Sequence, residues 1–532
     1  MTGKSDLDVI VVGAGFAGLY MLHRLRGAGF RTRVVEAGGG VGGTWYWNRY
    51  PGARCDVESM EYSYSFSNEL QQEWEWTERY AGQPEILRYA NHVADRFDLR
   101  RDITFHTRVA GAVFDEGEKR WLVTTDTGES VSASFVVMAT GCLSSANLPD
   151  FEGRDSFSGE TYHTGRWPPE GVDFAGKRVG IIGTGSSAIQ AIPIIAAEAK
   201  RLTVFQRTPN YSIPARNKPL DPEYVREIKA EYPELRANNL RMHAGFGSRV
   251  HHNDVPASSD DADDREANYA ARWQHGGFTF LGAYNDLLRS REANETAAEF
   301  VRQRIRDTVQ DPGVAELLCP DNVIGCKRPC LDTGYFETYN RANVELVDAR
   351  ERAIERITPN GVVAGGREFE LDCIVFATGF DAMTGALLGV DIRGRGGIEL
   401  KQAWNEGPRT YLGLSTVGFP NLFLITGPGS PSVLTNMIVA IEQHVDWIAD
   451  CLRDLSREGR ATIEATRQAQ DDWVAHVNAV AGLTLYPTCN SWYLGKNIPG
   501  KPQVFMPLIG FPPYAQMCEQ VAANGYEGFD LG

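Results

Sequence analysis

Two glycine-rich turns of the same pattern, about one domain apart, constrain the fold of this 532-residue chain more than any other feature. Both follow a short apolar run and open a helical stretch that leads to a second apolar run. That order is typical of a βαβ unit that binds a dinucleotide, with the pyrophosphate at the helix N-terminus. Because the pattern occurs twice, it predicts an α/β fold with two Rossmann-like dinucleotide-binding domains. The turns are Gly13-Ala14-Gly15-Phe16-Ala17-Gly18 and Gly183-Thr184-Gly185-Ser186-Ser187-Ala188.

The second strands of the two units end in residues of different charge, which indicates two unlike dinucleotides. The first ends in Glu36, whose carboxylate can accept hydrogen bonds from ribose hydroxyls, as the adenosine half of FAD requires. The other ends in Gln206, followed by Arg207 and Thr208. An arginine beside a neutral residue suits the 2′-phosphate of NADP(H), and Ala188 in place of the third glycine agrees with it. The sequence therefore predicts FAD in the first unit and NADPH in the second.

The glycines of such a turn have separate tasks. In the first unit Gly13 allows the tight turn, Gly15 lets the pyrophosphate approach the backbone, and Gly18 lets the helix pack on the strand. We assign Ala17 of the same turn to FAD binding as well. For NADP we assign Gly183, Gly185, Ser186, Ser187, Ala188 and Gln190.

A loop rich in aromatic residues, glycines and polar residues follows the first unit and runs from Gly42 to Asp56. Flat side chains of this kind suit packing beside an isoalloxazine ring. The alternative is an ordered loop that only covers the sheet.

A second repeat accompanies the glycine turns. Two buried-strand runs, Phe135 to Met138 and Cys373 to Phe376, both end in Ala-Thr-Gly. Each is preceded by a hairpin signal, with Thr127-Gly128 at one turn and Asn360-Gly361 at the other. We therefore expect each run to close a nucleotide-binding unit.

The region between about Pro219 and Pro320 differs in character, with long charged stretches at helical spacing. We predict a helical insertion in the NADP domain, carrying a mobile loop at 245–268. We interpret the acidic cluster at 260–264 as solvated loop charge, and His251 and His252 as surface residues. The predicted division is FAD-binding domain at 1–141 and 386–532, NADP-binding domain at 142–218 and 322–385, and insertion at 219–321; the substrate-pocket loops fall in 386–532.

Composition excludes several function classes. The net charge of −16 and the pI near 5.2 argue against nucleic-acid binding, which needs clustered Lys and Arg. No stretch approaches the ~20 apolar residues of a membrane span. The nine cysteines show no paired spacing of a zinc site, so we expect no metal, free thiols and a cytoplasmic location.

The stretch between the two units carries a specific fingerprint. Phe157, Gly159, His163, Trp167 and Pro168 stand at the spacing FxGxxxHxxxWP. This pattern resembles the fingerprint of type I Baeyer–Villiger monooxygenases, class B flavoprotein monooxygenases, and the chain is most similar to the phenylacetone monooxygenase-like branch. The resemblance covers nearly the whole chain.

The resemblance implies an NADPH- and O2-dependent oxidation of ketones to esters or lactones through a flavin C4a-peroxide and a Criegee intermediate. Arg328 would stabilise the negative charge, because a guanidinium stays charged and presents donors in a fixed fork. By resemblance Asp56 would orient Arg328, and Lys327 would face the 2′-phosphate beside Arg207. His163 and Trp167 would lie near the linker of the two domains. We expect a monomer or weak homodimer.

Other site residues follow from the resemblance alone. FAD would contact Thr44, Trp45, Trp47, Asp56, Tyr62, Val109 and Met437. NADP would contact Arg207, Thr208, Lys327, Arg328 and Trp492. The substrate pocket would include Ser430, Leu434 and Met437. The chain departs from the family around Pro507 and Leu508, so the preferred ketone stays open.

Three alternatives stay open at this level. A flavin-dependent N- or S-oxygenase also carries two such units, but its fingerprint ends differently from Trp167-Pro168. A pyridine-nucleotide disulfide reductase needs a redox dithiol soon after the first unit, and Cys55 has no partner nearby in sequence. A flavin-binding structural or sensor protein would show no turnover.

Overall fold

The structure is a computed structural model that describes residues 6–250, 252–496, 498–501, 506 and 509–532. His251, Pro507 and Leu508 lie outside these residues. The strands are β1 (Asp6–Val12), β2 (Thr32–Val35), β3 (Ile103–Thr104), β4 (Val109–Asp115), β5 (Arg120–Thr125), β6 (Ser130–Met138), β7 (Glu160–His163), β8 (Arg178–Ile182), β9 (Arg201–Gln206), β10 (Ser212–Pro214), β11 (Cys330–Asp332), β12 (Val344–Asp348), β13 (Ile354–Thr358), β14 (Gly361–Ala364), β15 (Arg367–Glu370), β16 (Cys373–Phe376), β17 (Asp391–Arg393), β18 (Leu422–Leu424), β19 (Ile463–Ala465) and β20 (Phe529–Leu531).

The helices connect these strands in the order that the repeated pattern predicts, with further helices between the two units. They are α1 (Phe16–Gly27), α2 (Thr44–Trp47), α3 (Asn68–Glu73), α4 (Gln83–Arg96), α5 (Ser186–Glu198), α6 (Pro222–Asn239), α7 (Ala262–His275), α8 (Arg291–Thr308), α9 (Pro312–Leu318), α10 (Tyr335–Thr338), α11 (Gly385–Leu388), α12 (Leu400–Ala403), α13 (Met437–Glu458), α14 (Arg467–Gly482) and α15 (Phe511–Ala523).

The first sheet has β1 between β6 and β2, all parallel, with β3 at the edge. Val9 and Val11 pack in one core cluster with α1 and α13, whereas Ile10 packs in the cluster on the opposite face. Because both faces are covered, β1 is apolar without alternation. From the C-terminal part of the chain β18 pairs with β6 and β17 with β4, so distant segments complete this sheet.

The second sheet is parallel throughout, in the order β12-β9-β8-β16-β7. Its central strand β8 leads into the second glycine turn and α5, and β16 leads into the second Ala-Thr-Gly. Both predicted hairpins are present, as β5–β6 and β13–β14. The predicted α/β class is therefore confirmed, while the domain division stays a prediction.

The region predicted as an insertion is helical and contacts both units. Ile228 and Tyr232 of α6 join the core of the first unit, while Tyr269 of α7 and Phe300 of α8 join that of the second. The helices thus pack against both dinucleotide-binding units.

The prediction of a loop throughout 245–268 is wrong for its last part, where α7 begins at Ala262. Asp261 caps this helix by accepting hydrogen bonds from the backbone N–H groups of Asp263 and Asp264. Acidic residues in a first turn stabilise a helix through its dipole, so this cluster is a helix start rather than solvated loop charge.

The prediction that all cysteines are free thiols is wrong for one pair. Cys326 and Cys489 form a disulfide across 163 residues of sequence. Neither residue has a cysteine at a diagnostic spacing, so only the tertiary structure brings them together. The other cysteines are free: Cys55, Cys142, Cys319, Cys330, Cys373, Cys451 and Cys518.

Among the described residues no helix is both long enough and apolar enough to cross a membrane.

Candidate active site between two dinucleotide loops

The first glycine turn leaves no room for a side chain at Gly13 or at Gly18. Gly13 has a φ of +104°, and a Cβ there would lie 2.7 Å from the carbonyl oxygen of Ala139. A Cβ on Gly18 would overlap the carbonyl oxygen of Gly13. Gly15 begins the approach to α1, and its Cβ would lie 3.4 Å from the Cα of Gly43. Helix and strand therefore touch backbone to backbone, as a phosphate-binding turn requires.

Glu36 is buried at the end of β2, as the sequence places it. Its Oε2 accepts the backbone N–H of Ala14 at 2.7 Å, and its Oε1 accepts that of Gly38 at 2.6 Å. A carboxylate oxygen can accept a further hydrogen bond, so the residue can also receive ribose hydroxyls. The residues of the first unit thus fit FAD.

The aromatic loop lies directly against this turn. Trp45 is buried and its indole N–H donates to the hydroxyl of Tyr62 at 3.1 Å. In contrast Trp47 is 37% exposed and Thr44 is exposed. Val109 opens β4, with a bulge between it and Gly111. Trp45, Tyr62 and Val109 are thus fixed by protein contacts, whereas Thr44 and Trp47 are accessible; their roles at FAD stay predictions.

The second glycine turn is more open than the first. A Cβ on Gly183, whose φ is +109°, would meet the carbonyl of Ala377, whereas one on Gly185 would meet nothing within 4 Å. Ala188 is fully buried, so its methyl group fills the helix–strand contact. Ser186 reaches the sulfur of Cys330 at 3.2 Å, and Ser187 donates to Thr164 at 3.1 Å. The space beside Gly185 is where a pyrophosphate would approach.

Gln190 has a contact that the sequence does not indicate. Its Oε1 accepts the hydroxyl of Tyr50 at 2.8 Å, and its Nε2 donates to the carbonyl of Arg54 at 3.1 Å. This side chain joins α5 to the aromatic loop of the first unit, and its role at NADP stays a prediction.

Two cations lie together at the end of β9. Arg207 is exposed, and Lys327 is close enough for their charges to interact. Burial first, and then the Arg207 guanidinium, lowers the pKa of the Lys327 ammonium, while Asp321 opposes the shift. Within the described ranges neither cation has an ion-pair partner. A bound anion would neutralise this pair, so the residues fit the 2′-phosphate of NADP(H).

Arg328 forms the centre of the candidate site. Its guanidinium donates to both oxygens of Asp56, at 2.6 and 2.8 Å, and to the carbonyl of Val433 at 2.7 Å. Tyr493 lies close enough to affect the charge of the guanidinium, which also lies over the ring of Phe278 at 4.9 Å. The expected contact of Asp56 with Arg328 thus forms across 272 residues.

The charge of Arg328 is fixed by these neighbours. Burial lowers its pKa, but the Asp56 carboxylate and Tyr493 raise it well above the ordinary value. Burial also raises the pKa of Tyr493 to about 12, against the effect of Arg328. The side chains of Arg328 and Asp56 keep 21% and 27% of their surface exposed. A permanent cation therefore stands at an accessible position between the two units.

A small apolar cluster lies beside Arg328. Leu434, Met437 and Trp492 pack, half-buried, against its buried members Cys142, Ala382, Met383, Val433, Tyr486, Tyr493 and Met506. Ser430 is fully buried, and its hydroxyl donates to the carbonyl of Gly427 at 2.7 Å. The structure thus brings Leu434, Met437 and Trp492 together, while Ser430 lies within its own loop.

The fingerprint residues lie between the units. The Nδ1 of buried His163 accepts the backbone N–H of Gly165 at 2.9 Å, so Nε2 carries the proton and donates to the carbonyl of Asn147 at 3.2 Å. Asn147 in turn donates its backbone N–H to Gly379, in one of two chain segments that run between the units. His163 therefore contacts a chain segment that connects the two sheets, and its effect on turnover stays a prediction.

The remaining fingerprint residues hold this region in place. Trp167 is buried against Tyr162 and Phe174, and its backbone N–H donates to the carbonyl of Trp47 at 3.4 Å. A Cβ on Gly159 would clash with Phe157 and with the carbonyl of Asp372. Pro168 follows Trp167 at the surface cleft beside α4. Within the part of the chain that the structure describes, none of these side chains forms a hydrogen bond with Arg328.

Sequence reasoning missed three partners of Arg328. Val433 contributes only a carbonyl, for which no side-chain pattern exists. Phe278 lies in the insertion, which carries no motif. Tyr493 follows Trp492 directly. Its position beside an expected NADP contact was the one signal in the sequence that could have indicated it.

Comparisons with known proteins agree with this arrangement. Residues 10–264 match the family model described as pyridine nucleotide-disulphide oxidoreductase. A Baeyer–Villiger monooxygenase of Pseudooceanicola batsensis is 44% identical over 99% of this chain and 96% of its own length. A steroid monooxygenase solved with NADP is 54% identical, with a TM-score of 0.94 and 99% of each chain covered.

A second solved structure, the complex of OTEMO with FAD and NADP, is 41% identical with a TM-score of 0.96, and 100% of each chain is covered. The predictions of FAD and NADPH as cofactors and of a ketone-oxidising enzyme are thereby confirmed. The chain therefore belongs to the Baeyer–Villiger monooxygenases, FAD-containing enzymes that use NADPH and O2 to convert ketones to esters or lactones.

Proposed function

We propose that Arg328, oriented by Asp56, stabilises the negative charge that develops while oxygen is inserted beside the ketone carbonyl. The observation that carries the proposal is the pair of hydrogen bonds from Arg328 to Asp56 at the accessible junction of the two units. When bound, FAD supplies the chemistry that accepts hydride from NADPH and activates O2. The protein must supply a fixed positive charge close to the reacting oxygen atoms.

Arg328 meets this requirement without giving up a proton. Asp56 occupies two of its N–H groups, Val433 one more, and Phe278 covers one face of the guanidinium. These contacts fix the direction of the remaining donors before substrate binds, and such preorganisation makes charge stabilisation effective. Leu434, Met437 and Trp492 supply an apolar surface on which the carbon chain of a ketone can rest.

The nucleotide roles belong to the same proposal. Glu36 takes the FAD ribose, and Arg207 with Lys327 takes the 2′-phosphate of NADPH. Trp492 takes the nicotinamide half of NADPH, and its position next to Tyr493, which lies near Arg328, supports this role.

The test is the Arg328→Ala variant. We expect NADPH to bleach the flavin as in the wild type, while ester formation falls by about 10²–10³-fold because one charge-stabilising group is lost. Ester product and flavin absorbance are measured together in an oxygen electrode cell with a ketone panel. Arg328→Lys keeps the charge but not the fork and should retain part of the activity.

Wild-type ester formation in Arg328→Ala would remove Arg328 from the oxygenation step. The same assay with a sulfide separates the alternative N- or S-oxygenase, which would yield sulfoxide from the sulfide and no ester from ketones.

We also propose a cytoplasmic location and a monomer or weak homodimer. Seven free cysteines favour a reducing compartment. Light scattering during gel filtration tests the oligomeric state, and cell fractionation tests the location.

A further inference from the structure

The disulfide joins two segments that meet again at Arg328. Cys326 stands two residues before Arg328, and Cys489 stands four residues before Tyr493. The second segment, residues 489–496, is called here the Trp492 segment. Its Tyr493 interacts electrostatically with Arg328, and the rings of Trp492 and Tyr493 lie 4.4 Å apart. One covalent bond thus holds the Trp492 segment to the segment that carries Arg328, and Tyr493 lies near the guanidinium.

We propose that Cys326 and Cys489 are a reversible redox modification site, which tethers the Trp492 segment over the nucleotide site when oxidised and releases it when reduced. Cytosolic disulfides in proteins of ordinary growth temperature are mostly transient and redox-sensing. The two sulfurs lie in a separate small cluster with Val323 and Leu485, and no other cysteine belongs to that cluster.

The chemistry balances with simple reactants. A hydroperoxide takes two electrons and two protons from the two thiols, which gives the disulfide and two molecules of water when H2O2 is the oxidant. A small dithiol reverses the step by exchange: it becomes a cyclic disulfide, and its two protons go to Cys326 and Cys489.

Burial controls access to this bond. Cys326 is fully buried and Cys489 is 4% exposed. A thiolate must reach a sulfur along an open path, so reduction requires one of the two cysteine-bearing segments to move first, and the Trp492 segment is one of them. A ligand that holds Trp492 in place should therefore slow reduction, and this links the redox state to occupancy of the nucleotide site.

The tether has a predictable effect on NADP+ release. After the disulfide is reduced, only noncovalent contacts hold the first residue of the Trp492 segment. The backbone of the segment then gains conformational freedom when the segment opens. We expect the oxidised enzyme to release NADP+ roughly tenfold more slowly than the reduced enzyme. The disulfide limits the backbone entropy that the Trp492 segment gains when it opens, so the open state is less favourable.

The experiment uses the FAD-loaded enzyme treated with H2O2 or with dithiothreitol. Mass spectrometry of a non-reduced digest detects the Cys326–Cys489 peptide pair, and stopped-flow fluorescence measures NADP+ release. Cys326→Ser and Cys489→Ser should release NADP+ at the rate of the reduced wild type under both treatments. Cys319→Ser removes a free cysteine that is only partly buried and should respond to the treatments like the wild type.

Two outcomes would overturn the proposal: absence of the linked peptide after H2O2, or equal NADP+ release from the oxidised and reduced wild type. The proposal rests on the proposed cytoplasmic location and on the proposed contact of Trp492 with NADP, but not on catalysis by Arg328. A failure of the Arg328 role would appear as ester formation by Arg328→Ala, and the redox dependence of NADP+ release would be unchanged.

Discussion

The two dinucleotide units have the same topology but differ in how complete their sites are without ligand. In the first, Glu36 already receives two backbone N–H groups, and a Cβ on Gly15 would already contact Gly43, 3.4 Å from its Cα. In the second, the space beside Gly185 is open, and Arg207 and Lys327 lie together as like charges. The carboxylate of the first site is already paired within the protein, whereas the two cations of the second site need an anion to neutralise them. This difference suits a resident FAD and an exchanging NADPH.

The largest effect should come from filling the closed turn. In Gly18→Ala the new methyl group overlaps the carbonyl of Gly13, so we expect loss of bound FAD and destabilisation by about 1–3 kcal/mol or more. Flavin absorbance of the purified protein measures the amount of bound FAD. Gly27→Ala, in the same helix with open space around it, is the matched control. In the second unit Ala188→Gly should cost only about 1 kcal/mol. A fully yellow Gly18→Ala protein would contradict the difference between the turns.

Acid should weaken the first unit through His444. Burial lowers the pKa of His444 to about 3, and its Nδ1 accepts the backbone N–H of Thr426 at 2.8 Å. Because the folded pKa lies below the ordinary 6.5, its contribution is complete above pH 6.5 and is lost as the pH falls toward 3. The loss should approach about 1.4 kcal/mol per pH unit.

Urea unfolding between pH 6.5 and 4 measures this loss. His444→Gln should flatten the pH dependence, whereas Gln in place of the exposed His106 should not. An unchanged slope in His444→Gln would mean that other groups control acid unfolding.

The next effect tests the open cation pair of the second unit. In Arg207→Ala the KM for NADPH should rise about 10–100-fold, because a charged hydrogen bond to the 2′-phosphate is lost. The KM for NADH should change little. Arg201→Ala, at the other end of the same strand, is the control. An equal rise for NADPH and NADH would refute the 2′-phosphate assignment.

The smallest effect concerns the junction of the two units. His163→Ala removes the acceptor for Gly165 N–H and the donor to Asn147, contacts worth about 0.5–1.5 kcal/mol each. We expect turnover to slow severalfold while FAD stays bound, because the linker is less well held. Asn in place of His163 keeps an acceptor and should restore part of the rate. Unchanged steady-state kinetics would show that the junction does not limit coupling between the units.

Local patterns were enough to predict the two cofactors and the positions of Glu36 and Arg207 at the strand ends. Glu36 and Arg207 each lie within a continuous strand–turn–helix–strand segment, so their distance from the glycines along the chain fixes their position in space. The contact of Asp56 with Arg328 was expected only from resemblance, and Tyr493, Phe278 and the Val433 carbonyl were missed. Partners hundreds of residues apart share no local periodicity.

The sequence by itself determined the two βαβ units, the sign of charge at each strand end, and the family through the stretch from Phe157 to Pro168. Only the tertiary structure decided which distant groups surround Arg328, that Gln190 joins the two units, and that Cys326 bonds to Cys489. The physical reason is the distance along the chain over which each signal acts. Apolar periodicity and turn chemistry act over a few residues, whereas the site forms where separate segments pack together. For the same reason the redox tether at the Trp492 segment has no signature in the sequence.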